Sequence, residues 1–388
     1  MKISLRPTKK NFFHGTHRVC SPEETKLRIE PLMEEVGVTE ISDITGKDRV
    51  GIPCYSAYRP HARRGGVKHH PGKGMDPLQS CVSAMMEAIE RWSGEYHGDR
   101  MECASYEALG VHRAVDPADL ILPRALEREE EIHWSPGYDL LNDMEVLVPS
   151  NAVFHPYDTL GMAFPLFQSG PTGLAAGNVI EEAILHGLLE VVERDAVSGA
   201  EKNRTFGLRL DVGTKGPAAD LMQKYNDAGI VIHLWLVEGK TGIPTVAAAA
   251  DDVQEKNPAL LVTGAGTHTN PEIAAIKALT EIAQSRVTNI MGTKIEVREE
   301  MLDKIGYDRL KRINRNWFSD AEEIGLESVP DISTPRIDTD ISLVLDRIRP
   351  TAEQVCICDL SRTGIPVVRV VVPGYEISHL DKSRIKRK

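Results

Sequence analysis

Nothing in these 388 residues reads as a membrane span, because no apolar run approaches the roughly 20 residues that a bilayer-crossing helix needs. No signal peptide precedes the basic N-terminus, so the expectation is a cytoplasmic protein without membrane contact. The six cysteines (Cys20, Cys54, Cys81, Cys103, Cys356 and Cys358) contain no Cys-x-x-Cys pair, and no zinc or dithiol framework follows from them. Cys356 and Cys358 alternate in the apolar run EQVCICDL, where a strand turns both to one side; small buried hydrophobes are the expected role. No Gly-x-x-x-x-Gly-Lys-Ser/Thr stretch occurs, which excludes a P-loop, and a protein-kinase signature is missing too. A formal charge of -11 speaks against a general nucleic-acid binder. Both ends, KISLRPTKK and KSRIKRK, are nevertheless basic, and they are expected to be mostly solvated.

What is present is an ordinary globular composition, 41% hydrophobic and 27% charged, in a chain long enough to bury a substantial core. ETKLRIEPLMEEVGV has helical periodicity, and VTEISDIT and VGIPCYSAYRP read as strands. WSPGYDLLNDMEVLVPSNAVFH alternates like antiparallel strands, and GIVIHLWLVE, IPTVAAAAD and ALLVTGAGT read as successive strands. VCICDLSRTGIPVVRVVVPGYE supplies two more. Helices and strands mix without strict alternation, so the expected class is α/β (α+β): a mixed sheet core with covering helices. No low-complexity linker divides the chain, and one integrated unit is expected.

Three stretches share one plan: GKGMDPLQSCVSAMMEAIERWSGE, GPTGLAAGNVIEEAILHGLLEVVERDA and GAGTHTNPEIAAIKALTEIAQSR. Each runs from a glycine-rich turn into a helix whose start is marked by Asp76-Pro77, by Asn178 with Glu181, or by Asn270-Pro271. Each then carries two polar residues three apart, Glu87 and Glu90, Glu190 and Glu193, Glu281 and Gln284, which share a helix face. At roughly 100° per residue, Glu182, His186, Glu190 and Glu193 fall within about 80° of one another, and Ser83, Glu87 and Glu90 form a similar stripe. For one such helix, a solvated face with salt bridges to Arg91 or Arg194 explains the pattern as well as function does. Recurrence on three helices favours convergence, since buried carboxylates require a cation or donors. Oxygen donors of this kind suit a hard divalent ion such as Mg²⁺, which bridges to nucleotide phosphates while arginine and lysine neutralise the remaining charge. The chemistry suggested is ATP use by an unusual fold.

The segments SAMMEAIER, GLAAGNVIEEAILHGLLEVVERDA and ALTEIAQSR resemble the three nucleotide-binding motifs of the YcaO family. ITGKDRVGIPCYSAYRP and GIPVVRVVVPG are similar to further stretches of that family, so the resemblance spans roughly residues 15 to 375. It implies a basic segment 1–14, a single YcaO-type ATP-binding domain 15–375 and a basic tail 376–388. It also implies ATP and Mg²⁺ as cofactors, and activation of a peptide backbone amide: a nucleophile adds to the carbonyl, the oxygen is phosphorylated, and phosphate departs. Carried over residue by residue, Glu87, Glu90, Glu190 and Glu193 are the implied Mg²⁺ contacts. Lys73, Ser83, Arg91, Asn178, Glu182, Arg194, Glu281, Gln284 and Arg286 are implied at the nucleotide. The residues that move protons are not identified.

FFHGTHRVCSPEET resembles the methanogenesis marker branch, which implies thioamidation of a glycine in the methyl-coenzyme M reductase alpha subunit with an external sulfide equivalent. A TfuA-like sulfur-delivery partner and a homodimer are the accompanying expectations, with a peptide or protein as substrate. Azoline-forming members often end in a proline-rich C-terminus, and this chain ends KSRIKRK. Azoline formation on a ribosomal peptide, or a non-catalytic nucleotide-binding scaffold, are the alternatives.

Overall fold

In a computed structural model, the described residues are 2–375 except 111, 121, 123–125, 128, 158–165 and 293–295; the tail 376–388 lies outside them. The chain opens with helix α1 (Pro22–Ile29), started by Ser21 and Glu24 as a reciprocal capping box. Strands β1 (Glu40–Asp43), β2 (Cys54–Tyr58) and β3 (His69–Lys73) then form a small antiparallel sheet, with Cys54 opposite Lys73. Helix α2 (Pro77–Ser93) follows. Strands β4 (Glu102–Ser105), β5 (Glu131–Asp139), β6 (Met144–Pro149) and β7 (Leu174–Ala176) begin a six-stranded sheet. Helix α3 (Ile180–Asn203) leads into β8 (Gly207–Asp211), helix α4 (Pro217–Asp227), β9 (Val231–Val237), β10 (Thr245–Asp251) and β11 (Thr263–Thr267). Helix α5 (Pro271–Ile290) comes next, and β12 (Glu323–Gly325) completes a five-stranded sheet ordered β11-β10-β9-β8-β12. After helix α6 (Ile337–Ile348), β13 (Cys356–Asp359) and β14 (Val367–Val371) return to the six-stranded sheet, ordered β4-β5-β13-β14-β7 with β6 beside β5.

The six-stranded sheet is covered on both faces, so its last strands carry apolar residues on both sides, with Arg369 buried among them and donating to the Ala152 and Gly170 carbonyls. Cys356, Cys358, Val367 and Val371 pack with Ile29, Met85 and Ile89 on one face. Ile357, Val368 and Val370 pack with Ile184, Leu188, Ile341 and Val344 on the other. The two cysteines are therefore free, buried members of the core, as their alternation predicts. A third core lies where α4 and α5 cover the five-stranded sheet through Leu221, Tyr225, Leu279 and Ile282. Burial of side chains of this size contributes about 1.5–3 kcal/mol each.

The three recurring stretches prove to be strand–helix units, not loop–helix units. Gly72 belongs to β3, and Gly264 and Gly266 belong to β11. A β-carbon on Gly72 would stand 2.2 Å from the Ala84 nitrogen and the Ser80 oxygen, and one on Gly266 would stand 2.1 Å from the Ala274 oxygen. Glycine here permits α2 and α5 to lie directly on their strands. The cap of α3 also differs from expectation: Val179 occupies the cap position without a side-chain bond, and Asn178 stands one residue earlier. Asn178 instead donates its backbone N–H to Glu182 (2.7 Å), and Glu181 accepts from the Arg6 nitrogen (2.8 Å).

That last contact is one of several anchors of the N-terminal segment, which keeps Lys2, Arg6 and Lys9 exposed, as expected, but is docked at a few other positions. Ile3 and Lys10 are buried; Lys9 pairs with Arg336, and Phe12 pairs with Arg18. The Lys10 ammonium meets Asp340 at 2.6 Å with both side chains fully covered, and Thr8 donates its backbone N–H to Asp338 at 2.7 Å. A lysine can be buried once its charge is matched.

Candidate functional site

Each unit's sheet fixes one helix, and contacts of α2 with β7, α3 with β11 and α5 with β3 draw the three helices toward one another. Between them and the N-terminal segment lies a cavity of about 250 Å³. Its wall includes Lys73, Ser83, Glu87, Glu90, Asn178 and Glu182 from the sequence-predicted set. Arg91, Glu190, Glu193, Arg194 and Glu281 do not line it; Arg91 pairs with its carboxylates Glu87 and Glu90, and Glu281, Arg194 and Glu193 connect to it through Lys73. On α2, Glu87 accepts from Arg91 at 2.7 Å, and Glu90 lies 3.8 Å from the same guanidinium while accepting from the Ala176 nitrogen at 3.2 Å. A second chain of charges crosses between elements. Lys73 reaches Glu281 at 2.7 Å, Glu281 lies 3.7 Å from Arg194, Arg194 lies 3.1 Å from Glu193, and Glu193 lies 3.8 Å from Lys277. Glu190 accepts from the Gly173 nitrogen at 3.2 Å, and Glu193 from the Thr267 nitrogen at 2.9 Å.

The electrostatics of these carboxylates differ sharply. Burial, reinforced by Glu87 and Glu190 against the pull of Arg91, pushes the Glu90 carboxyl well above the usual carboxylate range. Burial also raises Glu190, with Glu193 adding and Arg194 and Arg91 opposing. Glu281 goes the other way: burial alone would raise it, but Lys73 and Arg194 outweigh that and hold it low. On the opposite wall His186 is driven well below its ordinary value by burial, then by Arg18, Lys277 and Lys73, so its imidazole is neutral. His17 falls to about 4 through burial and the neighbouring Lys10, whose ammonium is 3.0 Å from its Nδ1.

A divalent cation fits this donor set by its chemistry: carboxylate oxygens, two of them with proton affinity raised chiefly by burial. Among the described residues, however, no three acidic, histidine or cysteine side chains stand together in metal-holding geometry. The expected cage of Glu87, Glu90, Glu190 and Glu193 is thus not preformed, since Arg91 and Arg194 occupy oxygens that a metal would use. Mg²⁺ commonly binds through one or two carboxylates with phosphate oxygens completing its shell, and that arrangement needs no four-glutamate cage.

The remaining positions divide as follows. Ser83 accepts from the Lys73 nitrogen at 3.3 Å, which ties α2 to the lysine strand. Gln284 donates to the Pro71 carbonyl. Asn178 accepts from Thr25 (3.2 Å) and Arg28 (3.3 Å), and Glu182 accepts from the Val19 nitrogen at 2.6 Å, so both hold the N-terminal segment against α3. Arg286 does not join the site: it is fully buried, 2.7 Å from Asp48 and 3.1 Å from Asp252, under the five-stranded sheet's helix. Its position two residues past Gln284 turns it about 200° around α5, to the opposite face. Residues that sequence reasoning missed include Lys277, one turn before Glu281 on α5, and Arg18, His17 and His268 in the cavity wall, where His186 of the predicted α3 stripe also stands. The i, i+4 spacing of Lys277 and Glu281 was a readable signal; the N-terminal residues carried none.

Comparison with known proteins agrees with this geometry. The family description "YcaO cyclodehydratase, ATP- and Mg2+-binding" matches residues 71–376. A protein of Methanothermobacter thermautotrophicus is 44% identical over 379 residues, covering 95% of this chain and 97% of the other. One from the tfuA 3' region of Rhizobium leguminosarum bv. trifolii is 30% identical over 93% of this chain and 89% of its own. The structure of YcaO from Methanopyrus kandleri bound with AMPPCP and Mg2+ superposes with a TM-score of 0.82 at 31% identity, covering 98% of each chain. With the match running through all three strand–helix units, the chain belongs to the YcaO family.

Proposed function

We propose that the protein is an ATP- and Mg²⁺-dependent enzyme that activates a peptide backbone amide, and that its product is a thioamide. The observation that carries this reading is the cavity between the three helices, where Glu87 and Glu90 share Arg91 and Lys73 pairs with Glu281. When bound, ATP would supply the phosphoryl group that makes the amide oxygen a leaving group, and Mg²⁺ would screen the phosphate charge. Glu87, Glu90, Glu190 and Glu193 would hold the ion in the subset that the phosphates select. Lys73, Arg91, Arg194 and Lys277 are placed to offset phosphate charge, and Ser83, Asn178, Glu182, Glu281 and Gln284 fix the elements that carry them. The neutral His186 is an uncharged wall for the nucleotide.

In the full reaction a sulfide equivalent adds to the carbonyl carbon, the oxygen takes the phosphoryl group, and phosphate leaves as the thiocarbonyl forms. A glycine in the methyl-coenzyme M reductase alpha subunit is the proposed target, supported by the Methanothermobacter relative. A TfuA-like partner for sulfur delivery is supported by the relative from a tfuA region. A second reading, azoline formation on a peptide's own cysteine, serine or threonine, is favoured by the family description as a cyclodehydratase. Mass spectrometry of a peptide that holds both a glycine and a cysteine or serine, incubated with enzyme, Mg²⁺, ATP and sulfide, tests the choice. Replacement of one oxygen by sulfur is expected; loss of water without sulfur uptake would favour the azoline.

A further inference from the structure

Away from the cavity, the C-terminal end of α3 meets the helical segments Tyr307–Ile313 and Arg315–Phe318 in an open groove of about 660 Å³. Its rim carries Arg204, Arg312 and Arg315, all exposed and none with an ion-pair partner among the described residues. Arg204 caps the C-terminus of α3, and Arg312 and Arg315 stand in the last turns of their own short helices, so three helix ends bring their guanidinium groups to one groove. Lys311 also lines the groove, but Asp251 at 2.5 Å matches its charge, and Asp308 is the groove's own acid. The groove therefore keeps a positive excess on a chain whose net charge is -11.

The same surface is also apolar at its centre. Ile313 is 58% exposed, and Phe318 lies beside the Lys311 ammonium at 5.5 Å from its ring centroid. The floor beneath is packed: Trp317 is buried, its ring is tilted against Phe206 with centroids 4.0 Å apart, and its carbonyl accepts from the Trp235 indole at 3.0 Å. Exposed isoleucine among unpaired arginines is a poor choice for solubility alone, and it matches a ligand that offers carboxylates around an apolar side chain.

We propose that this groove docks a short acidic segment of a partner polypeptide, with its carboxylates on Arg204, Arg312 and Arg315 and an apolar residue against Ile313. The overall negative charge disfavours a long polyanion and leaves a short acidic stretch as the complementary ligand. Docking here is separate from the nucleotide reading, and it lies about 15 Å along α3 from Glu193 by the rise of the helix.

Fluorescence anisotropy on the full chain tests it. The probe is a short labelled peptide in which aspartates and glutamates flank a leucine, with its asparagine and glutamine counterpart and a single-stranded oligonucleotide as controls. Saturable binding of the acidic peptide is expected, weakening with added salt and falling about tenfold or more in the Arg312→Glu/Arg315→Glu chain. Arg312→Gln/Arg315→Gln should give a smaller loss, and hydrogen exchange across 307–319 should slow on binding only in the parent. Equal titrations in parent and charge-reversed chains, no saturable binding, or tighter binding of the oligonucleotide would each overturn the proposal.

Discussion

Arg286 and Arg194 each face two carboxylates, yet their surroundings differ in one decisive respect. Around Arg286 the charges are matched: Asp48 and Asp252 meet it from two sides, Arg49 adds a further pair to Asp252 at 2.7 Å, and none of the four lines the cavity between the helices. Around Arg194 and Arg91 the carboxylates outnumber what the cations satisfy, two hold their protons abnormally tightly, and a cavity opens beside them. The first arrangement stabilises a fold. The second is left incomplete at a point that a cation and phosphates can reach.

Breaking the closed pair should give the largest effect. Arg286→Met leaves Asp48 and Asp252 buried with less compensation and should destabilise the chain by about 3–5 kcal/mol in denaturant melts. The Mg–ATP stabilisation of whatever remains folded should persist; its loss would return Arg286 to the nucleotide site.

The open cluster should behave in the opposite way. Glu190→Gln removes one repelling charge, so the ligand-free variant should melt at the parent's temperature or slightly above. The stabilisation by Mg²⁺ and ATP, worth about 2.7 kcal/mol at a hundredfold excess over Kd, should largely disappear. An unchanged ligand-induced shift would remove Glu190 from the assignment.

A third expectation concerns pH. Glu90 has a folded pKa raised above its unfolded value, so the folded state binds its proton more tightly. Its contribution is fully present below the ordinary glutamate pKa and is lost as pH rises through the raised one. Neutral His17, depressed to about 4, acts with the reverse sign, losing stability as pH falls from the ordinary histidine value. The difference between melts of the parent and of Glu90→Gln isolates the first term: the parent's advantage should shrink with rising pH in the absence of Mg²⁺. A flat difference would mean that Glu90 is not strained in the ligand-free protein.

The smallest effect is expected in the core. Cys356→Ala/Cys358→Ala should cost about 1 kcal/mol per site and leave sulfide-dependent turnover measurable, because burial drives both thiols far from the thiolate form. Complete loss of turnover in a folded double variant that still binds ATP would revive a sulfur-carrying role for them.

Much of this comparison was readable before any coordinates. Periodicity located α2, α3 and α5, the Asp76 and Asn270 caps are where the sequence puts them, and i, i+3 spacing paired each set of acids. Local chemistry determined these features, because capping, alternation and helix faces depend on neighbours within a few residues. What the tertiary structure alone decided is which charge meets which. Glycines expected in turns lie in strands because helix backbones press on them from outside the segment. Lys10 of the basic N-terminus is buried because Asp340, more than 300 residues away, receives it. Arg286 and Arg194 are the same residue type in similar motifs, and only the packing of α5 on the five-stranded sheet sends one into a closed ion pair. Charge pairing acts over a few ångströms of space, and separation along the chain says little about it.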